Sequence, residues 1–236
     1  MLRIDNFFIA TALALIILAS GATGQTTVFN IPTADTLARG TVNLEMDFIL
    51  KPVPYRKGGY QTYGYRLAFG IDQRTEVGSN FYYNWDGHTS TGQAEFSVKR
   101  RIYQNEKHRF GVAAGTVVFV PLRNRAGDRT SAMIYGNARK TIGPLGGMTL
   151  TGGVYSVFRG SREFGTRTGA IVGVVQPISR RLSFVADWFS GRNRLGYVSA
   201  GLNYNITNRQ YFLAGYSFGN SGRGNNAMAA YYGLTF

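Results

Sequence analysis

The chain has 236 residues, a formal net charge of +14 and no cysteine. The absence of cysteine excludes a disulfide framework and thiol chemistry. The excess of basic residues is compatible with binding to nucleic acid, to phosphate-rich lipid surfaces or to anionic solutes.

The first 24 residues have the composition of an export signal. Arg3 begins a short basic region, residues 7–19 form an apolar run, and small residues follow, with Ala22 and Gly24 at positions suited to signal peptidase. The apolar run is shorter than the ~20 residues of a membrane-spanning helix, which favours cleavage over retention as a membrane anchor. We therefore expect a signal peptide over residues 1–24, cleavage near Gly24, and no nucleic acid among the partners.

Residues 25–39 are predicted to form a periplasmic lead-in to the rest of the chain. Between Asn30 and Thr41 the sequence contains Pro-Thr-Ala and, a few residues later, Gly-Thr. This spacing resembles an N-terminal motif of outer-membrane proteins associated with polysaccharide export. The simpler interpretation, which we adopt, is a turn that leads into the first strand.

Residues 40–236 are predicted to form strands of about ten residues. In the first strand the even-numbered residues from 42 to 50 are apolar, whereas residues 41, 43, 45 and 47 are polar or charged. Segments 63–72, 76–85 and 94–99 repeat this alternation, which is typical of strands with one apolar and one polar face. Eight noisier segments follow: 110–120, 131–141, 148–158, 167–176, 182–190, 195–206, 210–219 and 227–236.

The connections between these segments alternate in length. The short ones are 72–74, 104–107, 143–147, 179–181 and 207–209, and three of them share an Ile two or three residues before an Arg. The longer ones are 51–59, 86–91, 121–130, 159–166, 191–194 and 220–226. Short periplasmic turns and longer outer loops predict an all-β, closed, antiparallel, up-and-down transmembrane barrel. We expect about twelve strands, with ten or fourteen as alternatives because such barrels have even strand numbers.

The last strand ends the chain on an aromatic residue. Tyr232, Leu234 and Phe236 share one face of it, and this tail resembles the C-terminal insertion signal of Gram-negative outer-membrane barrels. Residues 69–78 are similar to a hairpin turn of the same porin-like class, with Gln73 inserted between Asp72 and Arg74. The resemblance implies a location in the bacterial outer membrane and recognition of the last strand by the barrel-assembly machinery.

Charged residues on the polar face are predicted to point into the barrel. They can line an aqueous pore, or they can pair with one another and stabilise a plugged lumen. The predicted pore-lining residues are Glu45, Asp47, Arg66, Glu76, Glu95, Lys99, Arg139 and Asp187.

The predicted outer loops are rich in arginine. Guanidinium groups bind phosphate well, so we expect this rim to contact lipopolysaccharide and to attract anionic small solutes to a pore mouth. The predicted rim residues are Arg123, Arg125, Arg129, Arg159, Arg162, Arg192 and Arg194.

Catalytic and metal-binding patterns are absent from the sequence. Its two histidines, His88 and His108, fall in an outer loop and near a periplasmic turn, so they cannot share one site. Asp86 and His88 resemble the Asp/His pair of outer-membrane proteases, but such enzymes need further acidic residues on the same rim, for which Asp128 and Glu163 are the candidates. Ser221 has no histidine on a neighbouring strand, as an outer-membrane phospholipase would need. We expect no enzyme activity, cofactor or metal. The sequence favours a small passive channel that prefers anionic solutes. The main alternative is a structural or envelope-polysaccharide-associated barrel with a plugged lumen; an enzyme and a soluble secreted β-protein are less favoured.

Overall fold

The computed structural model describes residues 26–123, 129–159 and 164–236, except for the side chains of residues 222–225. The predicted signal peptide and its cleavage site therefore lie outside the described residues. The strands are β1 (Val42–Lys51), β2 (Tyr60–Gly70), β3 (Thr75–Trp85), β4 (Ser90–Asn105), β5 (Phe110–Pro121), β6 (Ser131–Ile142), β7 (Met148–Arg159), β8 (Thr168–Pro177), β9 (Leu182–Phe189), β10 (Tyr197–Asn205), β11 (Gln210–Gly219) and β12 (Gly222–Thr235). In this part of the chain no helix is long and apolar enough to cross a membrane.

The twelve strands form one closed antiparallel barrel in chain order. Closure is made by β1 and β12, which pair from Asn43 opposite Thr235 to Leu50 opposite Met228. The backbone N–H of Phe236 donates to the carbonyl of Val42 at 2.8 Å and extends this pairing to the last residue. Because every strand has two neighbours, the sheet has no free edge. The predicted fold and the expected strand number are confirmed.

The connections alternate between the two ends of the barrel. At the end where β1 begins and β12 finishes, the connections are 71–74, 106–109, 143–147, 178–181 and 206–209, each of four or five residues. We call this the turn end. At the opposite end, which we call the loop end, the connections are 52–59, 86–89, 122–130, 160–167, 190–196 and 220–221.

The last connection is shorter than predicted. Residues 220–226 were expected to be a loop, but β12 begins at Gly222, and Gly219 pairs with Gly222 beyond a register shift in β11. The side chain of Asn226 accepts a hydrogen bond from the backbone N–H of Gly219 at 2.7 Å. This hairpin uses glycines and asparagines in a tight turn and irregular pairing, so its composition resembled that of a loop.

The apolar face of the early strands points away from the barrel, as predicted. Met46, Phe81 and Phe96 are 46%, 47% and 49% exposed although they are large and apolar. Such a continuous apolar outer surface is stable in contact with acyl chains and unfavourable in water.

The interior differs from the simple partition of apolar residues outside and charged residues inside. A buried apolar cluster from β5–β9, β11 and β12 also fills part of the lumen. It includes Phe119, Tyr135, Tyr155, Ile171 and Leu213. The inner face of these strands therefore resembles a protein core rather than a pore wall.

Candidate functional site: the lumen and its N-terminal hairpin

The lumen has two chemically different walls. Strands β1–β4 supply a charged wall, and β5–β9, β11 and β12 supply the apolar wall described above. The charged wall contains Asn43, Glu45, Asp47, Arg66, Glu76, Asn80, Tyr82, Glu95, Ser97 and Lys99.

Arg66 is at the centre of the charged wall. Its Nη1 lies 3.1 Å from Oε1 of Glu45, and its Nε lies 2.7 Å from Oδ2 of Asp47. Its guanidinium carbon lies 5.0 Å from the ring centroid of Tyr231 on β12. Glu45 also accepts a hydrogen bond from the hydroxyl of Tyr211 at 2.5 Å. Two carboxylates and an aromatic face therefore neutralise and fix this cation.

A second ion pair lies nearer the turn end. Nζ of Lys99 is 3.2 Å from Oε1 of Glu76, and both residues are buried. Thr26 completes the group: its hydroxyl donates to Glu76 at 2.9 Å, and its carbonyl accepts from Lys99 at 3.2 Å. The pair therefore binds a residue that precedes the barrel.

Residues 26–33 form a tight hairpin inside the lumen, which we call the lumenal hairpin. The backbone N–H of Val28 donates to the carbonyl of Ile31 at 3.0 Å, and that of Thr33 donates to the carbonyl of Thr26 at 2.9 Å. Val28, Phe29 and Ile31 have exposed fractions of 0–1% and belong to the apolar cluster. The predicted lead-in thus folds back into the barrel instead of lying outside it, because its apolar residues need a buried environment.

One carboxylate holds the turn of the lumenal hairpin. Oδ2 of Asp187, on β9, accepts the backbone N–H groups of Phe29, Asn30 and Ile31 at 3.1, 2.5 and 2.8 Å. Consecutive N–H groups that converge on one oxygen form an anion-binding concavity, here filled by a side chain of the same chain. The arrangement satisfies three backbone donors that burial would otherwise leave unpaired.

Further polar contacts fix the segment along its length. The carbonyl of Pro32 accepts from the amide of Asn137 on β6. Asp35 lies 2.7 Å from Nε of Arg139 on the same strand, and the backbone N–H of Leu37 donates to Glu76 at 2.9 Å. The segment is therefore attached to strands on opposite sides of the barrel.

Two glycines make room for the lumenal hairpin. A Cβ at Gly173 would lie 2.6 Å from Cδ1 of Ile31 and 3.0 Å from Cγ2 of Val28. One at Gly215 would lie 2.7 Å from the ring of Phe29 and also 2.3 Å from the backbone carbonyl oxygen of Ala200 on β10. Any larger residue at these positions would occupy the space of the hairpin.

A cavity of about 270 Å³ remains between the lumenal hairpin and the charged wall. Its lining includes Asn43 and Lys99 towards the turn end, and Phe189 and Tyr197 towards the loop end. Glu95 also borders it, with its carboxylate accepting from the amides of Asn80 and Gln93 at 2.9 and 2.6 Å. Glu95 forms no ion pair with a described residue.

The eight predicted pore-lining residues all lie on the inner face. The cavity is bordered by Glu45, Arg66, Glu76, Glu95 and Lys99. The other three have different partners: Asp47 binds Arg66, whereas Arg139 and Asp187 bind the N-terminal segment. Whether any of the eight lines a conducting pore stays a prediction.

The predicted rim residues lie at the loop end wherever the structure describes them. Arg123, Arg129, Arg159, Arg192 and Arg194 are exposed, while Arg125 and Arg162 lie outside the described residues. Arg194 contacts the barrel, since its guanidinium carbon is 4.6 Å from the ring centroid of Phe119 and it donates to Gln93.

The predicted insertion signal lies on the outer face of β12. Tyr232 and Leu234 are half-buried and pair with Met46 and Leu44 of β1, next to the closing strand pair. Phe236 follows on the same face. Recognition of this strand by assembly machinery stays a prediction.

The two histidines lie at opposite ends of the barrel, His88 in loop 86–89 and His108 in turn 106–109. Among the described residues, no three histidine or acidic side chains are close enough together to hold a metal ion.

The lumenal hairpin is the part of the site that the sequence analysis missed. A signal was present, because Val28, Phe29 and Ile31 form an apolar group outside any predicted strand. Large apolar residues in a short segment before a barrel must find a buried surface, and the lumen was the nearest one.

Comparisons with known proteins identify the fold. No protein-family model matches the chain, and no curated protein matches it in sequence. The KdgM porin, solved in complex with disordered oligogalacturonate, matches with a TM-score of 0.56 and 8% identity over 83% of this chain and 98% of the porin. The COG4313 outer membrane channel from Pseudomonas putida F1 matches with a TM-score of 0.55 and 13% identity over 86% of this chain and 98% of the channel.

Outer membrane phospholipase A from Escherichia coli matches with a TM-score of 0.50 and 11% identity over 85% of this chain and 94% of the phospholipase. The same architecture thus occurs in channels and in an enzyme, so it does not by itself decide activity. At these identities the likeness establishes the fold: the chain is an outer-membrane-type β-barrel of twelve strands.

Proposed function

We propose that this protein is an outer-membrane channel for small polar solutes, with a narrow passage between the lumenal hairpin and the charged wall. The observation that carries the proposal is the cavity of about 270 Å³ beside the hairpin. On the side of the charged wall its lining offers charged groups, a tyrosine hydroxyl and amides that can bind water and small hydrated solutes, whereas Phe119, Met133 and Leu195 border it on the apolar side.

The surface and the fold support a location in the outer membrane. An outer belt of exposed apolar residues needs acyl chains around it, and a closed barrel satisfies every strand within a bilayer. We propose export by the N-terminal signal and insertion through the C-terminal strand, with membrane lipid and lipopolysaccharide as surrounding partners.

The charge distribution supports only a weak preference for anions. On the inner face, the predicted pore residues comprise five carboxylates and three basic groups, and the basic groups are all paired with carboxylates. Exposed arginines at the loop end favour anions near the mouth. The five exposed rim arginines outnumber the excess of two carboxylates on the inner face, so we expect small anions to permeate slightly better than small cations.

Planar-bilayer recording on the full mature chain tests the proposal. We expect discrete conductance steps. In a KCl gradient the reversal potential should indicate a slightly higher permeability for chloride than for potassium. Replacement of Arg129, Arg159 and Arg192 by Gln should move the reversal potential towards cations. A strong cation preference in the unmodified protein would contradict the role given to the loop-end arginines.

A structural barrel with a plugged lumen is the second candidate, favoured by the hydrogen bonds that attach residues 26–37 to the inner walls. It predicts no conductance in the unmodified protein and conductance only when the hairpin is displaced. An enzyme is less favoured because His88 and His108 lie at opposite ends of the barrel.

A further inference from the structure

The turn end of the barrel carries a dense ring of basic residues. The ring has ten members. The acidic residues near them in the described chain are Asp72 and Glu106 in the turns, together with Asp35 and Glu76, which pair with Arg139 and Lys99 of the inner face. The basic members are Arg39, Arg74, Arg100, Arg101, Lys107, Arg109, Lys140, Arg180, Arg181 and Arg209. We call this set the turn-end ring.

Most of this charge is not neutralised by the protein. Among the ten basic residues, Arg100 alone forms an ion pair with a described residue, at 3.9 Å from Asp72. Asp72 is already occupied, since it accepts the backbone N–H of Arg74 at 2.6 Å, and hydrogen bonds from the turn lower the pKa of its carboxyl. The turn-end ring is therefore a surface with a net positive charge and no internal counter-charge of similar size.

The position of two ring members indicates a membrane partner. Arg100 on β4 and Lys140 on β6 share the outer face with Phe96 and Ile134, so their side chains begin on the lipid side of the strands. Long basic side chains at such positions extend towards the headgroup level while their methylene stems stay in contact with apolar surface.

Exposed aliphatic residues accompany the charges. Three turns place an isoleucine two or three residues before an arginine, namely Ile71 with Arg74, Ile178 with Arg180, and Ile206 with Arg209. Ile178 is 58% exposed, and the other two isoleucines are also exposed. An aliphatic side chain beside a guanidinium matches the boundary between acyl chains and phosphate groups.

We propose that the turn-end ring binds the headgroups of anionic glycerophospholipids in the leaflet on that side of the membrane. The inference rests on the location of the barrel in a bilayer, as given under the proposed function, but not on conductance. Phosphate accepts bidentate hydrogen bonds from arginine, and a headgroup without a cationic group keeps a net negative charge that matches the excess of basic residues.

The absence of cysteine allows a site-specific test. A fluorophore is attached at Asn208→Cys, next to Arg209, and the full mature protein is reconstituted in phosphatidylcholine vesicles. Small, equal fractions of nitroxide-headgroup phosphatidylglycerol or nitroxide-headgroup phosphatidylcholine are then added. We expect at least twofold stronger quenching by the anionic lipid, with the ratio falling towards one in high salt.

Two triple variants, each of which removes three positive charges, distinguish binding by the turn-end ring from a general attraction between the basic protein and anionic lipid. Arg74→Gln, Arg180→Gln and Arg209→Gln together should bring the quenching ratio at position 208 close to one. Arg129→Gln, Arg159→Gln and Arg192→Gln together, at the loop end, should leave it unchanged. Equal quenching by the two lipids in the unmodified protein, or the same loss in both triple variants, would overturn the proposal.

The experiment is independent of transport. A protein that inserts, shows the lipid preference and does not conduct would refute the channel and leave the ring intact. A protein that conducts but shows no preference for the anionic lipid would refute the role of the turn-end ring and leave the channel proposal intact.

Discussion

Oδ2 of Asp187 accepts the backbone N–H of Ile31 at 2.8 Å, although the two residues are 156 positions apart in the chain. This contact joins the turn of the lumenal hairpin to the middle of β9. The same oxygen also accepts from the backbone N–H groups of Phe29 and Asn30. One oxygen therefore accepts all three backbone donors at the turn of the hairpin.

Replacement of Asp187 by Ala should release the lumenal hairpin without unfolding the barrel. Three buried N–H groups would lose their acceptor, and each buried donor left unpaired costs about 1–3 kcal/mol. Hydrogen exchange of a peptide covering residues 26–41 should become faster by at least tenfold, while peptides from β1–β4 keep their protection. Asp187→Asn, which retains an oxygen acceptor, should show a smaller change. Equal protection in all three proteins would show that the carboxylate does not hold the turn.

The ion pair between Lys99 and Glu76 should show strong coupling in a double-mutant cycle. Lys99→Met leaves a buried carboxylate unpaired, and breaking a buried pair from one side costs roughly 3–5 kcal/mol. Glu76→Gln combined with Lys99→Met should cost less than the sum of the two single changes. The coupling energy is obtained from the free energies of unfolding of the four proteins, measured by urea titration in detergent micelles.

The control for this cycle is the exposed pair of Arg100 and Asp72, whose nitrogen and oxygen are 3.9 Å apart. Its coupling should be below about 1 kcal/mol because water screens both groups. Similar coupling for the two pairs would mean that the Lys99 site is hydrated far more than its burial indicates.

The barrel could be predicted from sequence because its determinants are local and repeated. Alternation along β1, β2 and β3 defines the two faces, and the connections define the order of strands. A pairing error by one residue would have turned Glu45 towards lipid, so the pattern determines the register as well.

The lumenal hairpin could not be predicted in the same way. Its position depends on contacts between residues 28–31 and strands β8–β12, which are more than 130 residues away in the chain. Gly173 and Gly215 illustrate the difficulty, because a glycine in a strand has many possible causes and only the fold shows that these two face Ile31 and Phe29. The charges of the lumen were predicted, but their pairing was not, since Arg139 binds Asp35 of the N-terminal segment rather than a carboxylate on another strand.

Phe29→Ala should open the lumen partly and destabilise the protein. The ring of Phe29 is fully buried and lies 5.3 Å from that of Tyr231 in an edge-on arrangement. Loss of a buried phenylalanine costs about 3–5 kcal/mol, part of which can be recovered if the hairpin leaves the site. Thermal unfolding in detergent should shift to a lower temperature. Phe81→Ala, on the lipid-facing surface, should shift it less in detergent because its ring is largely exposed.

Gly173→Val should convert the lumen into a wider channel. The three atoms nearest to a Cβ at this position all belong to Ile31 and Val28, so the new side chain displaces the lumenal hairpin rather than a neighbouring strand. Single-channel conductance in planar bilayers should rise severalfold over the unmodified protein. Gly152→Val on the adjacent strand β7 is the matched control, because a Cβ there meets nothing within 4 Å and its residue pairs with the outward-facing Val172. Unchanged conductance in the Gly173 variant, with hydrogen exchange showing that the hairpin has left the lumen, would mean that the apolar wall closes the barrel even without its N-terminal segment.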